Sequence, residues 1–168
     1  FFHADPHLGN LLLEPDGRLA LFDLGIVGTL DNDLKFQIGQ LLLGFANQEA
    51  ERVTSITLKI SAPTKPFNIK LLEQDIRHLT AKYQTALAYE LGIGKAIIDL
   101  AKVAINHNLL LPPAYNLLAK TLFYLDLIMS YIYPKLDYLE FIRRSTQRIF
   151  FNLWQNEFNI YRLTETVL

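Results

Sequence analysis

The stretch that decides the reading is HADPHLGN, residues 3–10, followed thirteen residues after its asparagine by Asp23-Leu24-Gly25. Two histidines, an aspartate, a proline, a glycine and an asparagine side by side make a poor helix and a poor strand, because these residues favour turns or compete for backbone hydrogen bonds. The stretch reads as a loop whose side chains are meant to meet something. Residues 11–22 read as a hairpin, with two short apolar runs joined by Glu14-Pro15-Asp16-Gly17, where a tight turn wants proline and glycine. Beyond it Gly25 and Gly28 loosen the backbone, and Asp31 or Asn32 stands where a helix cap is needed.

The order His3-x-Asp5, Asn10, hairpin, Asp23-x-Gly25 is the H-x-D-x-x-x-x-N and D-x-G spacing of the catalytic half of a protein-kinase-like site. In that chemistry a carboxylate, here Asp5, sits beside an acceptor hydroxyl to orient it and take its proton. An amide oxygen, Asn10, and a second carboxylate, Asp23, reach magnesium, a hard cation that prefers oxygen ligands. The hairpin fixes the separation of these two, and Gly25 lets the chain turn away. Any one piece is weak; the ordered set is specific.

Hydrophobic periodicity and chain breakers place helices at about 32–46, 49–60, 69–90, 95–107, 113–132 and 137–157. Pro63 and Pro66 stop one helix, Gly92 and Gly94 another, Pro112-Pro113 opens the fifth and Pro134 closes it. Ile69, Leu72, Ile76, Leu79, Tyr83 and Leu87 form one apolar face, with Lys70, Glu73, Arg77 and Lys82 turned elsewhere. The segment from Tyr115 to Tyr133 is apolar almost all round, interrupted only by Lys120 and Asp126, and reads as a helix buried on most sides. The expected fold class is mainly α (α+β), a short hairpin set against a helical body. Residues 1–30 would carry the loop, hairpin and D-x-G segment, and residues 31–168 the helices.

Composition narrows the rest. Sixteen basic and 17 acidic residues leave a net charge of −1, so no basic field calls for nucleic acid. The absence of cysteine excludes disulfides and thiolate metal sites. The longest charge-free stretch, Val103 to Ala119, contains two prolines and three asparagines and is a poor membrane span. A start at Phe1 within an apolar pair suggests a piece of something longer.

HADPHLGN, the hairpin LLLEPDGRLALFDLGIVGTL and the later HNLLLPPAYNLLAKTLFYLDLIMSYIYPKLD resemble the UbiB family of atypical kinases, also called aarF-domain or ADCK proteins, across at least residues 1–140. The family usually reads H-A-D-P-H-P-G-N and D-F-G; Leu8 and Leu24 replace a proline and a phenylalanine here without removing a ligand. The resemblance implies a protein-kinase-like C-terminal lobe that binds ATP with Mg2+. It makes Asp5 the catalytic-loop aspartate, His3 the loop-supporting histidine, Asn10 a metal ligand and Asp23 the principal metal ligand. It also implies an N-terminal kinase lobe supplying the nucleotide loop and strand lysine, a lipid or quinone-precursor ligand, a link to ubiquinone biosynthesis, and membrane association in a bacterium, mitochondrion or plastid. Without that lobe, negligible nucleotide turnover is expected. Two other classes share the motif: a small-molecule phosphotransferase of the aminoglycoside or choline kinase type, and a nucleotide-binding pseudokinase scaffold.

Blander roles stand beside these. His3, Asp5 and His7 also make an H-x-D-x-H cluster of zinc-binding type, although His7 fits packing within its loop. Asp31 and Asp33 suit a helix cap and first turn. Phe150, Trp154 and Phe158 recur every four residues downstream of Arg143, Arg144 and Arg148. That stripe either packs on the helical body or forms a peripheral membrane or partner contact.

Overall fold

The computed structural model describes residues 1–87, 92–135, 137 and 140–151. Strand β1 (Phe2–His3) pairs antiparallel with β4 (Val27–Gly28), setting His3 opposite Val27. Between them β2 (Leu11–Leu13) and β3 (Leu19–Leu21) form the expected hairpin, with Leu11 opposite Leu21. Its turn is closed by Glu14 N–H donating to the Arg18 carbonyl at 2.8 Å and Gly17 N–H to the Glu14 carbonyl at 2.9 Å. One ladder therefore lies outside the other and carries the loop between them.

The helices follow the breakers. Helix α1 (Asn32–Ala46) begins where the Asp31 carboxylate accepts the Leu34 amide at 2.7 Å, a side-chain cap on an otherwise orphaned donor. Helix α2 (Ala50–Ile60) ends before Ser61 and a short strand β5 (Ala62–Pro63), which pairs with β6 (Leu109–Leu110). Helix α3 spans Ile69–Leu87, α4 Ile93–Asn106 and α5 Pro113–Ile132, the last opening on proline at its first position. Residues 140–151 form α6.

The core lies where α1–α4 and the start of α5 meet. Leu41, Phe45, Val53, Leu72, Ile76, Tyr83, Ile97, Leu100 and Tyr115 are each at most 1% exposed, and each large side chain removed from water contributes roughly 1.5–3 kcal/mol. Leu72, Ile76, Leu79 and Tyr83 are the buried face of α3, as its periodicity requires, while Ile69 at the first turn remains exposed. Helix α6 joins the body through buried Ile142 and Thr146, and Phe150 stacks tilted on Phe36 of α1 at 5.1 Å between ring centroids. The packing half of the aromatic-stripe alternative thus holds for Phe150; Trp154 and Phe158 lie outside the described residues.

Two expectations are corrected. Gly94 does not break a helix; it sits in the first turn of α4 because a Cβ there would lie 2.1 Å from the Phe123 amide nitrogen of α5. It is a contact glycine, permitting backbone-to-backbone approach. Helix α5 is also not buried on most sides. Tyr115, Leu118, Ala119, Thr121 and Ile128 are buried, but Leu125, Leu127, Tyr131 and Ile132 are exposed. Its neighbours cover one face, and composition alone does not say how many neighbours a helix has. No described helix is long and apolar enough to cross a membrane.

Candidate active site

The loop is held by a circuit of hydrogen bonds that runs through every residue singled out in it. Ala4 N–H donates to the Ile26 carbonyl at 3.0 Å, extending the β1–β4 ladder to the edge of Asp5. Asp5 N–H donates to Nδ1 of His3 at 3.1 Å, and the Asp5 carbonyl accepts Nδ2 of Asn10 at 3.1 Å. The Asn10 carbonyl accepts the Phe22 amide at 2.9 Å, one residue before Asp23. His7 caps the turn Leu8–Asn10, its Nδ1 accepting the Gly9 amide at 3.1 Å. Asp5 and Asn10 are thus joined directly, and Asp23 follows within one residue along the hairpin.

Asp23 is exposed and adopts φ +52°, the left-handed region that a non-glycine residue enters only when its surroundings hold it there. Its Oδ1 accepts the Gly25 amide at 2.9 Å, an aspartate turn that offsets the backbone cost and fixes the carboxylate's orientation. Asn10 is buried with its amide nitrogen engaged, which fixes the flip so that Oδ1 is the atom without a hydrogen-bond partner in the described structure. One carboxamide oxygen and one carboxylate oxygen make a hard donor pair of the kind Mg2+ prefers.

The histidines do not assemble a zinc site. Both Nδ1 atoms are used as backbone acceptors, and among the described residues no group of three or more histidines, cysteines, aspartates or glutamates is placed to hold a metal ion. Since Nδ1 of His3 accepts, neutral His3 carries its proton on Nε2, which is buried without a partner. Such an orphaned donor is uncommon in a folded protein and marks the loop as a place with an unmet contact.

Sequence reasoning missed Lys120. This residue of α5 places its ammonium 2.8 Å from Oδ1 of Asp5. The contact is an ion pair rather than an aligned hydrogen bond, since buried Oδ1 finds no donor within hydrogen-bonding angles. Lys120 holds the Asp5 carboxyl below its ordinary range against the opposing effect of burial, with His7 and His3 adding to it, and Asp5 in turn raises Lys120. The same helix contributes Thr121, whose hydroxyl lies 3.3 Å from the His3 carbonyl, and Tyr124, edge-on to His7 at 6.3 Å. A signal was present: a lone lysine in an almost wholly apolar helix calls for a partner.

The other interrupting charge, Asp126, is accounted for too. Its Oδ2 accepts the Gly94 amide at 2.6 Å, closing the start of α4, whose Gly92 cap has no side chain to do so. Burial pushes the Asp126 carboxyl up to about 6 despite the Gly94, Lys95 and Ile93 amides, which favour its charge. A cleft of about 580 Å3 opens elsewhere, lined by Gln48, Glu49, Arg52, Arg77 and Thr80 among others, and includes no residue of the loop.

Comparison with known proteins agrees with this architecture. Residues 1–57 match the ABC1 atypical kinase-like domain and residues 76–137 the UbiB helical domain. An uncharacterised protein of Synechocystis is 34% identical over 73% of this chain and 30% of its own length. Proteins named "Probable protein kinase UbiB" include one from Aliivibrio fischeri, 31% identical over 82% of this chain and 26% of its own. One from Pasteurella multocida is 29% identical over 94% and 30%. The chain spans less than a third of the length of these curated relatives, and no solved structure matches it. The chain belongs to the UbiB family of ABC1 atypical kinase-like proteins.

Proposed function

We propose that this chain supplies the catalytic loop and cation-binding half of an ATP-dependent phosphoryl-transfer site. The supporting observation is the set of hydrogen bonds that ties Ala4 to Ile26, Asn10 to Asp5 and Phe22 to Asn10, so that the backbone segments carrying Asp5, Asn10 and Asp23 are joined within the paired ladders. Asn10 and Asp23 would hold Mg2+, which when bound offsets charge on the phosphates. Asp5, kept ionised by Lys120, orients the acceptor hydroxyl and receives its proton at the carboxylate. His3 anchors the loop by accepting the Asp5 amide.

The remaining partners follow from what the loop leaves uncovered. Leu12, Leu13, Leu19, Leu21, Phe22 and Leu24 of the hairpin region are all exposed, an apolar surface suited to packing against an N-terminal nucleotide-binding lobe. The family link carries the suggestion of a quinone-precursor or other prenyl-lipid acceptor. Exposed Tyr131, Ile132 and Phe141, near Arg143 and Arg144, suit peripheral membrane contact. The test uses the full-length protein that carries this chain. Mg–ATP is expected to raise its melting temperature, and Asp23→Asn to remove most of that rise and nearly all turnover. Turnover unchanged by Asp23→Asn defeats the assignment; a retained melting-temperature rise with no turnover in the parent points instead to a pseudokinase.

A further inference from the structure

Helix α5 reaches the loop with three side chains from two successive turns. Thr121 meets the His3 carbonyl, Tyr124 meets His7, and Lys120 meets Asp5. The first two are docking contacts between the helix and the loop. Lys120 has a different character. Its ammonium lies over the Tyr124 ring, 5.6 Å from the centroid, and 2.8 Å from Asp5 Oδ1, while its side chain is 43% exposed. An ammonium has three donors on a flexible stem. With one side turned to Asp5 and another to the ring, the side chain still remains partly open to solvent. A half-exposed ion pair adds little to stability, so stability is a poor reason for a cation at that point.

We propose that Lys120 is a further residue of the transfer site. Its ammonium holds the Asp5 carboxylate in the unliganded loop and donates to the phosphoryl group as it passes the same carboxylate. The inference rests on the phosphoryl-transfer reading. In the step, the acceptor hydroxyl oxygen bonds to the γ-phosphorus of ATP, and the bond from that phosphorus to the bridging oxygen breaks with its electron pair leaving on ADP. The acceptor proton goes to Asp5. Lys120 stays an ammonium throughout, neither giving nor taking a proton, and acts through charge aimed at the equatorial phosphoryl oxygens. When the phosphoryl group arrives, the cation already lies beside the base, so little reorganisation is needed.

The discriminating readout is binding of a transition-state mimic. In the full-length protein, Mg–ADP with fluoroaluminate should raise the melting temperature beyond Mg–ADP alone. Lys120→Met should lose most of that extra rise while keeping the Mg–ADP rise, and should lower kcat about tenfold or more with a smaller effect on KM. Lys120→Arg, which keeps the charge, should restore most of both. Asp23→Asn separates the two claims. If it leaves the Mg–ADP rise intact, the phosphoryl-transfer reading fails and takes this proposal with it. If it abolishes that rise while Lys120→Met keeps the full fluoroaluminate increment, only the Lys120 assignment is overturned. Equal loss of both rises in Lys120→Met also overturns it, since a docking contact would do the same.

Discussion

Asp126 offers the most quantitative prediction, because two opposing effects meet in one side chain. Its carboxylate accepts the Gly94 amide at 2.6 Å and closes the start of α4, a capping contribution of about 1–2 kcal/mol. Burial nevertheless raises its titration from 3.8 to about 6. At about 1.36 kcal/mol per pH unit, holding the charge above pH 7 costs about 3 kcal/mol relative to the unfolded chain. The sign follows from proton counting. Between pH 3.8 and 6 the folded state binds more protons than the unfolded one, so stability rises as pH falls through this window. Integrated from pH 7.5 to 4.5, about 2 kcal/mol is recovered. Asp126→Asn keeps an acceptor of the same shape and removes the charge, so it should be more stable than the parent by about 1–2 kcal/mol at pH 7.5. That advantage should shrink by about 2 kcal/mol at pH 4.5. Asp126→Ala should lie about 1–2 kcal/mol below the asparagine variant at both pH values, because the helix start loses its acceptor. Urea unfolding of the three proteins at pH 4.5, 6 and 7.5 measures all of this, and contributions from other carboxylates cancel in the differences. A parent–asparagine difference that stays constant with pH, or widens on acidification, would refute the reasoning.

Other perturbations test the packing and the charge network. Gly94→Ala drives a Cβ to within 2.1 Å of the Phe123 amide, and because backbone must yield it should cost about 2–3 kcal/mol in urea unfolding; a loss under about 1 kcal/mol would mean α4 and α5 slide apart freely. Asp99 is opposed by burial, yet the Tyr83 hydroxyl at 2.6 Å, with Lys102 and Lys82, holds its carboxyl well below the usual range. Its contribution is therefore present above the unfolded pKa and fades as pH falls below it. Tyr83→Phe should cost about 1.5–3 kcal/mol at pH 7 and narrow to a smaller deficit near pH 2, followed by circular dichroism melts; equal deficits at both pH values would deny the coupling.

How far the sequence carried the fold depends on where the determinants lie. Helix positions were legible because apolar spacing in α3 and breakers such as Pro63, Pro112 and Pro134 act locally. The hairpin was legible from Glu14-Pro15-Asp16-Gly17 for the same reason. Gly94 was misread because glycine as a breaker and glycine as a contact are identical in sequence; only the approach of Phe123 separates them. The near-continuous apolarity of α5 suggested burial on most sides, whereas it carries one buried face and an exposed apolar end. In the loop, the spacing of His3, Asp5, Asn10 and Asp23 gave the candidate residues, while the lone Lys120 in an apolar helix signalled the need for a partner without saying which. Its tie to Asp5 is made only when the chain closes on itself, and no local pattern encodes such a closure.

That tie has a practical meaning for anyone recombining these proteins. The family's two homologous segments, residues 1–57 and 76–137, look like interchangeable modules, with all the recognisable motif in the first. Yet the cation beside the motif's leading acid arrives from the second. A chimera that grafts a foreign helical segment onto this loop therefore also replaces the charge beside Asp5, and a helix-swap library doubles as a screen of that ion pair.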